Sequence, residues 1–273
     1  MADMPALDWV GGAPEDLRAI YAAQRAELAH EVAADVTIEE SRRDGLPGLV
    51  FTPKAPQATP LLHFHGGGWG GGSPETHVTL CAWLAHVARR RVISVRYRLA
   101  PEHPWPAQRE DALARMAALG APCFLAGDSA GAAMALWAEA AAPEAVYGTL
   151  AFYGAFGVVE SPSIAALAAR DGALQQAEIR AFYTHLGLTD PAELPAEIQG
   201  SFLKEGPPLL IVKAAEDTLA CDCEVLAGLM PRRALTRVTA EGQPHAFLQH
   251  AARNPAAREI FATSASWMDK LAP

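Results

Sequence analysis

A histidine and three glycines, His65-Gly66-Gly67-Gly68, close the apolar run Leu61-Leu62-His63-Phe64, and Trp69 follows them. A buried strand that ends this way presents backbone N–H groups with no side chain over them. Such groups can approach an oxygen that turns negative during a reaction, which makes Gly67 and Gly68 candidates for an oxyanion hole. Further along, Phe124-Leu125-Ala126-Gly127-Asp128-Ser129-Ala130-Gly131 sets an apolar strand before the pattern G-x-S-x-G and an alanine-rich helix. Glycines flank Ser129 because the turn from strand to helix leaves no room for larger residues. The two loops together describe acyl transfer by a serine nucleophile, with the Ala130 amide as a third oxyanion donor.

Each motif alone is common, and order gives them weight. No Lys-Ser/Thr follows the glycines, so a phosphate-binding P-loop is a poor fit, and no G-x-G-x-x-G opens a helix with an acidic ribose ligand downstream. A glycine loop before a serine turn calls for an acid and a histidine after the serine. The strand-like run Leu209–Ala214 ends near Glu216 and Asp217. Asp217 is the first choice of acid, Glu216 the second, and Asp222, where the next helix begins, the third. Only His245 and His250 follow Asp217. His245 lies in Gly242-Gln243-Pro244-His245, read as a loop, and is preferred as the base over His250, one helical turn beyond. In this reading His245 takes the Ser129 proton and Asp217 holds the imidazole tautomer.

These residues need a frame, and hydrophobic spacing supplies one. An amphipathic helix is expected from Pro14 to about Val32, then short β signals at Gly48–Phe51 and a strand at Leu61–His65. Helices are expected over His77–Arg89, Gln108–Leu119 and Ser129–Ala141, alternating with strands at Arg91–Tyr97, Cys123–Ala126 and Tyr147–Phe152. Strands at Leu209–Ala214 and Leu235–Thr239 and helices over Asp222–Met230 and Pro255–Leu271 complete the series. Such alternation means a mostly parallel sheet covered on both faces. From Tyr153 to Glu205 the rhythm breaks, as expected of an insertion folded over the strand C-termini, where ligands bind in such sheets.

The chain has 273 residues, half of them hydrophobic, enough for one α/β domain over 1–273 with small cap elements from about 1–40 and 154–205. A formal net charge of −9 argues against nucleic acid or an anionic membrane as partner but says little about the substrate; the small-molecule ester expected as partner follows from the serine chemistry. No apolar run reaches membrane-spanning length, and the first residues lack a secretory pattern, so a cytoplasmic location is expected. Cys221-x-Cys223 is too tight for a zinc knuckle and has no paired Cys/His set, so free thiols, no metal and no cofactor are expected.

The blocks His65-Gly66-Gly67-Gly68-Trp69, Tyr97-Arg98-Leu99-Ala100-Pro101-Glu102-His103-Pro104-Trp105-Pro106-Ala107 and Gly127-Asp128-Ser129-Ala130-Gly131 resemble the hormone-sensitive-lipase-like branch of the α/β-hydrolases, the bacterial type IV carboxylesterases. Asp217-x-Leu219 with Asp222 is similar to that family's acid-bearing segment, and His245-Ala246-Phe247 to its H-x-F segment. The resemblance implies an α/β-hydrolase fold, ester cleavage through Ser129, Asp217 and His245, and a homodimer through an edge strand. The chain departs from the family at Ala132, where glycine is usual, and in a compact insertion, which bears on cap shape and acyl preference.

Arg98, Glu102 and His103 read as structural polar contacts. Trp69 either lines the substrate pocket or covers the glycine loop. Asp128 reads as a turn former with a surface contact rather than a second acid, and with Trp69 is a candidate for substrate binding. Two other functions remain open: an arylformamidase-type amide hydrolase, and a non-catalytic small-ligand receptor on the same fold. The intact set Ser129, Asp217 and His245 disfavours the receptor.

Overall fold

A computed structural model describes residues 7–28, 32–41, 45–167, 170, 173–188, 206–230 and 232–272. The described residues form an eight-stranded sheet in the order β1-β2-β4-β3-β5-β6-β7-β8. The strands are β1 (Val36–Ser41), β2 (Gly48–Pro53), β3 (Gln57–Phe64), β4 (Arg90–Val95), β5 (Cys123–Asp128), β6 (Val146–Phe152), β7 (Leu209–Glu216) and β8 (Leu235–Pro244). β1 and β2 enter antiparallel, and every pairing from β4 to β8 is parallel. The helices are α1 (Pro14–Ala26), α2 (Val78–Ala88), α3 (Ala107–Leu119), α4 (Ala130–Ala141), α5 (Pro162–Leu167), α6 (Gln176–His185), α7 (Ala220–Gly228) and α8 (Pro255–Met268).

Side chains alternate across the sheet as the two-residue period requires. Leu62, Phe64, Ile93, Val95 and Leu125 pack with α3, α4 and α7 on one face. Leu61, Val92, Phe124 and Ala126 pack with α2 and α8 on the other. Central strands buried on both faces explain the near-continuous apolar runs. In a parallel sheet all C-termini emerge at one edge, so the ends of β3, β5, β7 and β8 deliver their loops to one place.

Three elements differ from the sequence-based expectation. β1 had no apolar signature and was not expected; it is an edge strand whose residues are half-buried or exposed. α1 ends at Ala26, short of the expected Val32. β8 runs on to Pro244, so Gly242–Pro244 is strand rather than loop, with an irregularity in its pairing between Ala214 and Glu216 of β7. Within the expected insertion, α5 and α6 are described, whereas 189–205 lies outside the described residues.

Candidate active site

Ser129 joins β5 to α4 at φ 54° and ψ −124°, a conformation an L-residue adopts only at a cost of about 1–3 kcal/mol. The surroundings fix it. The Ser129 N–H donates to the Phe152 carbonyl at 2.9 Å, and the Ser129 carbonyl accepts from Ala132 and Ala155. A Cβ at Gly127 would stand 2.0 Å from the Gly131 carbonyl oxygen, and one at Gly131 would stand 2.1 Å from that of Phe64. The G-x-S-x-G pattern is therefore steric: the elbow is pressed against itself and against the end of β3.

Asp217 follows β7 and His245 follows β8, so neighbouring parallel strands bring the two together. His245 Nδ1 donates to Asp217 Oδ2 at 2.7 Å, and His245 Nε2 stands 3.0 Å from Ser129 Oγ. Asp217 is 1% exposed, and its other oxygen, Oδ1, accepts from the Leu219 N–H at 2.9 Å. Burial would lower the pKa of His245, but the charge of Asp217 and its hydrogen bond outweigh this and raise it. The other candidates lie elsewhere. Glu216 pairs with Arg170 at the surface. His250 ends a short 3-10 turn, Phe247–His250, and is exposed. Asp222, in the first turn of α7, is buried and accepts the N–H groups of Phe156 at 2.5 Å and Val158 at 3.3 Å. Burial pushes its carboxyl up to about 8.

The amides of Gly67, Gly68 and Ala130 donate to no described residue. Buried N–H groups almost always have a partner, so unpaired ones beside a nucleophile are suited to an oxyanion. Gly68 has φ +61°, and a Cβ there would meet the Phe182 ring at 2.3 Å, so α6 sits directly on the loop. Gly66 differs: its N–H points at His77 Nε2 and Asp128 Oδ1.

Asp128 corrects the expected surface contact. The residue borders the cleft, but its carboxylate is 1% exposed and lies 3.2 Å from His63 Nε2 and 3.3 Å from His77 Nε2. Trp69 is fully buried, with its ring 5.3 Å from that of Tyr183 and 6.3 Å from that of Trp137; it packs beneath the glycine loop and lines a small cavity beside the serine rather than the main cleft. Arg98 bonds Asp111 and Glu110, and Glu102 bonds Arg18, whose Nε reaches the Gly70 carbonyl, so the block from Tyr97 to Ala107 braces the glycine loop from outside.

A cleft of about 470 Å³ opens over Ser129 and His245, with Trp9, Tyr21 and Arg25 from the N-terminal segment and Phe182 from α6 on its walls. Sequence reasoning had no signal for Arg25 or Phe182, because α1 and α6 reach the site only through packing. Among the described residues, no group of three or more His, Cys, Asp or Glu side chains could hold a metal.

Residues 61–249 match a family model described as alpha/beta hydrolase fold. The carboxylic ester hydrolase LipN of Mycobacterium tuberculosis is 39% identical over 127 residues, covering 42% of this chain and 34% of the relative. An acetyl-hydrolase of Streptomyces hygroscopicus is 35% identical over 201 residues, covering 68% of this chain and 66% of the relative. The matches thus span about a third of one relative's length and about two thirds of the other's. Among solved structures, EstE1, a thermophilic and thermostable carboxylesterase cloned from a metagenomic library, is 27% identical, with a TM-score of 0.82 over 97% of this chain and 99% of its own.

Proposed function

Because the chain belongs to the α/β-hydrolase family, on its hormone-sensitive-lipase-like carboxylesterase branch, we propose that it is a serine carboxylesterase cleaving short-acyl esters of small molecules. One observation carries the reading: Ser129 Oγ, the His245 ring and the Asp217 carboxylate stand in series at 3.0 and 2.7 Å at the floor of an open cleft. His245 Nε2 takes the Ser129 proton as Oγ attacks the ester carbonyl. The carbonyl oxygen becomes an oxyanion and receives the amides of Gly67, Gly68 and Ala130, each such donor being worth about 3–4 kcal/mol. The imidazolium gives its proton to the leaving alkoxide, which departs as the alcohol. Water then attacks the acyl-enzyme with the same base and the same donors, releasing the acid and restoring Ser129.

The serine is the nucleophile, so the chemistry calls on no metal-bound water. The N-terminal segment through α1, together with α5 and α6 from the described part of 154–205, serves as the cap. Phe182 and Trp9, 5.4 Å apart, are where the two cap pieces meet over the glycine loop. The four cysteines are free thiols, in keeping with a cytoplasmic enzyme.

The test is a panel of p-nitrophenyl esters from acetate to laurate together with a fluorophosphonate probe. The wild-type protein should turn over the short esters and be labelled, and Ser129→Ala should lose both with an unchanged melting transition. Labelling or substantial turnover that survives in the folded variant would place the nucleophile elsewhere.

A further inference from the structure

Two spaces of very unequal size adjoin Ser129. Toward α6 there is a cavity of only about 10 Å³, walled by Gly68, Trp69, Ala155, Leu219 and the Phe182 ring. A space of that size holds about one water, or a methyl group. The one phenolic hydroxyl on this wall, that of Tyr183, is already bonded to the Gly157 N–H at 2.8 Å. This side has neither the room nor the polar groups for anything larger than a short acyl chain.

The main cleft runs between α6 and the N-terminal segment, and its N-terminal wall is aromatic. Trp9 lies edge-on to Tyr21, their ring centroids 6.2 Å apart. Arg25, in the last turn of α1, lines this side, its guanidinium carbon 4.9 Å from the centre of the Tyr21 ring. The stack holds the fork in place, but nothing among the described residues accepts from it, and its Nε is buried without a partner. Two carboxylates also line the cleft: Asp128, turned to His63 and His77, and Glu178 of α6, with one oxygen committed to the Gln175 N–H at 2.8 Å. A buried guanidinium N–H without an acceptor is unfavourable unless a ligand completes it. The shape that completes such a fork is a planar carboxylate, bound by parallel hydrogen bonds.

We propose that Arg25 recognises a carboxylate on the alcohol portion of the ester, so that the substrate class is a short-acyl ester, acetate foremost, of a ring-bearing hydroxy acid. The ring lies along Trp9 and Tyr21, the acetyl methyl enters the cavity under Phe182, and the carboxylate meets Arg25. The inference rests on the esterase reading above.

The experiment measures kcat/KM for 4-acetoxybenzoate, for its uncharged counterpart 4-acetoxybenzamide and for phenyl acetate, in the wild type, Arg25→Met and Arg25→Lys. Because a charge-assisted hydrogen bond at a half-buried site is involved, the wild type should favour the benzoate over the benzamide by about tenfold or more, through KM. Met keeps the stack on Tyr21 but has no donor, so Arg25→Met should bring that ratio to about one. Lys keeps the charge and loses the fork, so Arg25→Lys should retain part of the preference. Each ratio is taken within one protein, so a change in the amount folded cancels. Equal wild-type values for benzoate and benzamide, or a preference that survives in Arg25→Met, would overturn the assignment of Arg25. Failure of the wild type to hydrolyse phenyl acetate at all would instead overturn the esterase reading.

Discussion

Replacing Asp217 with asparagine tests the relay with almost no change of shape. Asp217 Oδ1 accepts the Leu219 N–H at 2.9 Å, and Oδ2 faces His245 Nδ1 at 2.7 Å. An asparagine has one acceptor oxygen, and two orientations compete for it. Turning the oxygen to His245 would press the amide NH₂ against the buried Leu219 N–H and leave both without acceptors, at about 1–3 kcal/mol each. The stable orientation therefore keeps the oxygen on Leu219 and presents N–H to His245. Nδ1 must then accept, the ring proton moves to Nε2, and the atom 3.0 Å from Ser129 Oγ becomes a donor that cannot take the serine proton. The equivalent change in a serine protease costs about 10⁴-fold in kcat, or roughly 5.5 kcal/mol, and the same loss is expected here.

The pH profile gives a second, independent readout. His245 works as a base only when neutral, so activity falls as pH drops through its pKa. Asp217 raises that pKa against the effect of burial, which places the acid limb above the ordinary 6.5. Without the carboxylate charge the limb should move to lower pH even as the plateau falls. Steady-state turnover of p-nitrophenyl acetate across pH, with a melting curve to show folding, measures both. A loss under about tenfold, or a limb that stays put, would refute the argument that Asp217 sets the tautomer and charge of His245.

Asp222→Asn should leave turnover near wild type, because the amide oxygen can still accept from Phe156 and Val158. It should also stabilise the fold increasingly as pH rises: the unfolded carboxyl ionises from about 4 upward, whereas the buried one holds its proton up to about 8, so wild-type stability is lost across that window. Melting temperatures of both proteins at pH 5 and pH 8 check this, and a difference that does not grow with pH counts against it. Phe182→Ala removes the ring that sits on Gly68 and walls the small cavity. Optimal acyl length should shift from acetate toward butyrate and hexanoate, each added methylene gaining up to about 0.8 kcal/mol, with a lower melting temperature. An ester panel that still peaks at acetate would put the acyl group elsewhere.

The elbow, the glycine loop and the strand–helix alternation were legible because each is a local requirement. The steric demands at Gly127 and Gly131 act within a few residues of Ser129, and central strands buried on both faces must be apolar throughout. Asp217 and His245 could be ranked only by their place after strands and by family resemblance. What escaped was set by distant packing. β1, with the sequence Val-Thr-Ile-Glu-Glu-Ser, pairs along one edge only and stays largely exposed, so no apolar alternation marked it. The continuation of β8 through Gly242, Gln243 and Pro244 reads as a turn by composition, yet the edge of the sheet accommodates a proline at the strand's end. Arg25 lay on what the helix pattern marks as a polar face. Its meaning depends on Tyr21, one turn earlier, and on a cleft built by segments far along the chain.

Asp128 shows why such a residue is buried at the centre of the site. β3 and β5 are parallel neighbours, with Phe64 opposite Gly127, so the glycine loop and the serine elbow leave the sheet side by side. Strand pairing stops there, and something else must hold the two loops in register. Asp128, the residue before the nucleophile, does so by accepting the Gly66 N–H at 3.2 Å. Burial alone would raise its carboxyl pKa, but the charge of His77 and the contacts with His63 and His77 outweigh that and hold it well below the usual range. His77 is fixed in turn by Thr76 at 2.8 Å and Gln249 at 3.0 Å, and Gln249 reaches the Tyr21 hydroxyl on α1 at 3.5 Å. Gly66 therefore spends its amide on the scaffold, which leaves those of Gly67 and Gly68 for the substrate. Misplacing a reacting group by about 1 Å can cost 10²-fold in rate. A carboxylate bonded to one loop and covalently next to the nucleophile of the other ties attack and oxyanion stabilisation to a single frame, and α1, which carries Arg25, is joined to that frame through the same chain of polar contacts.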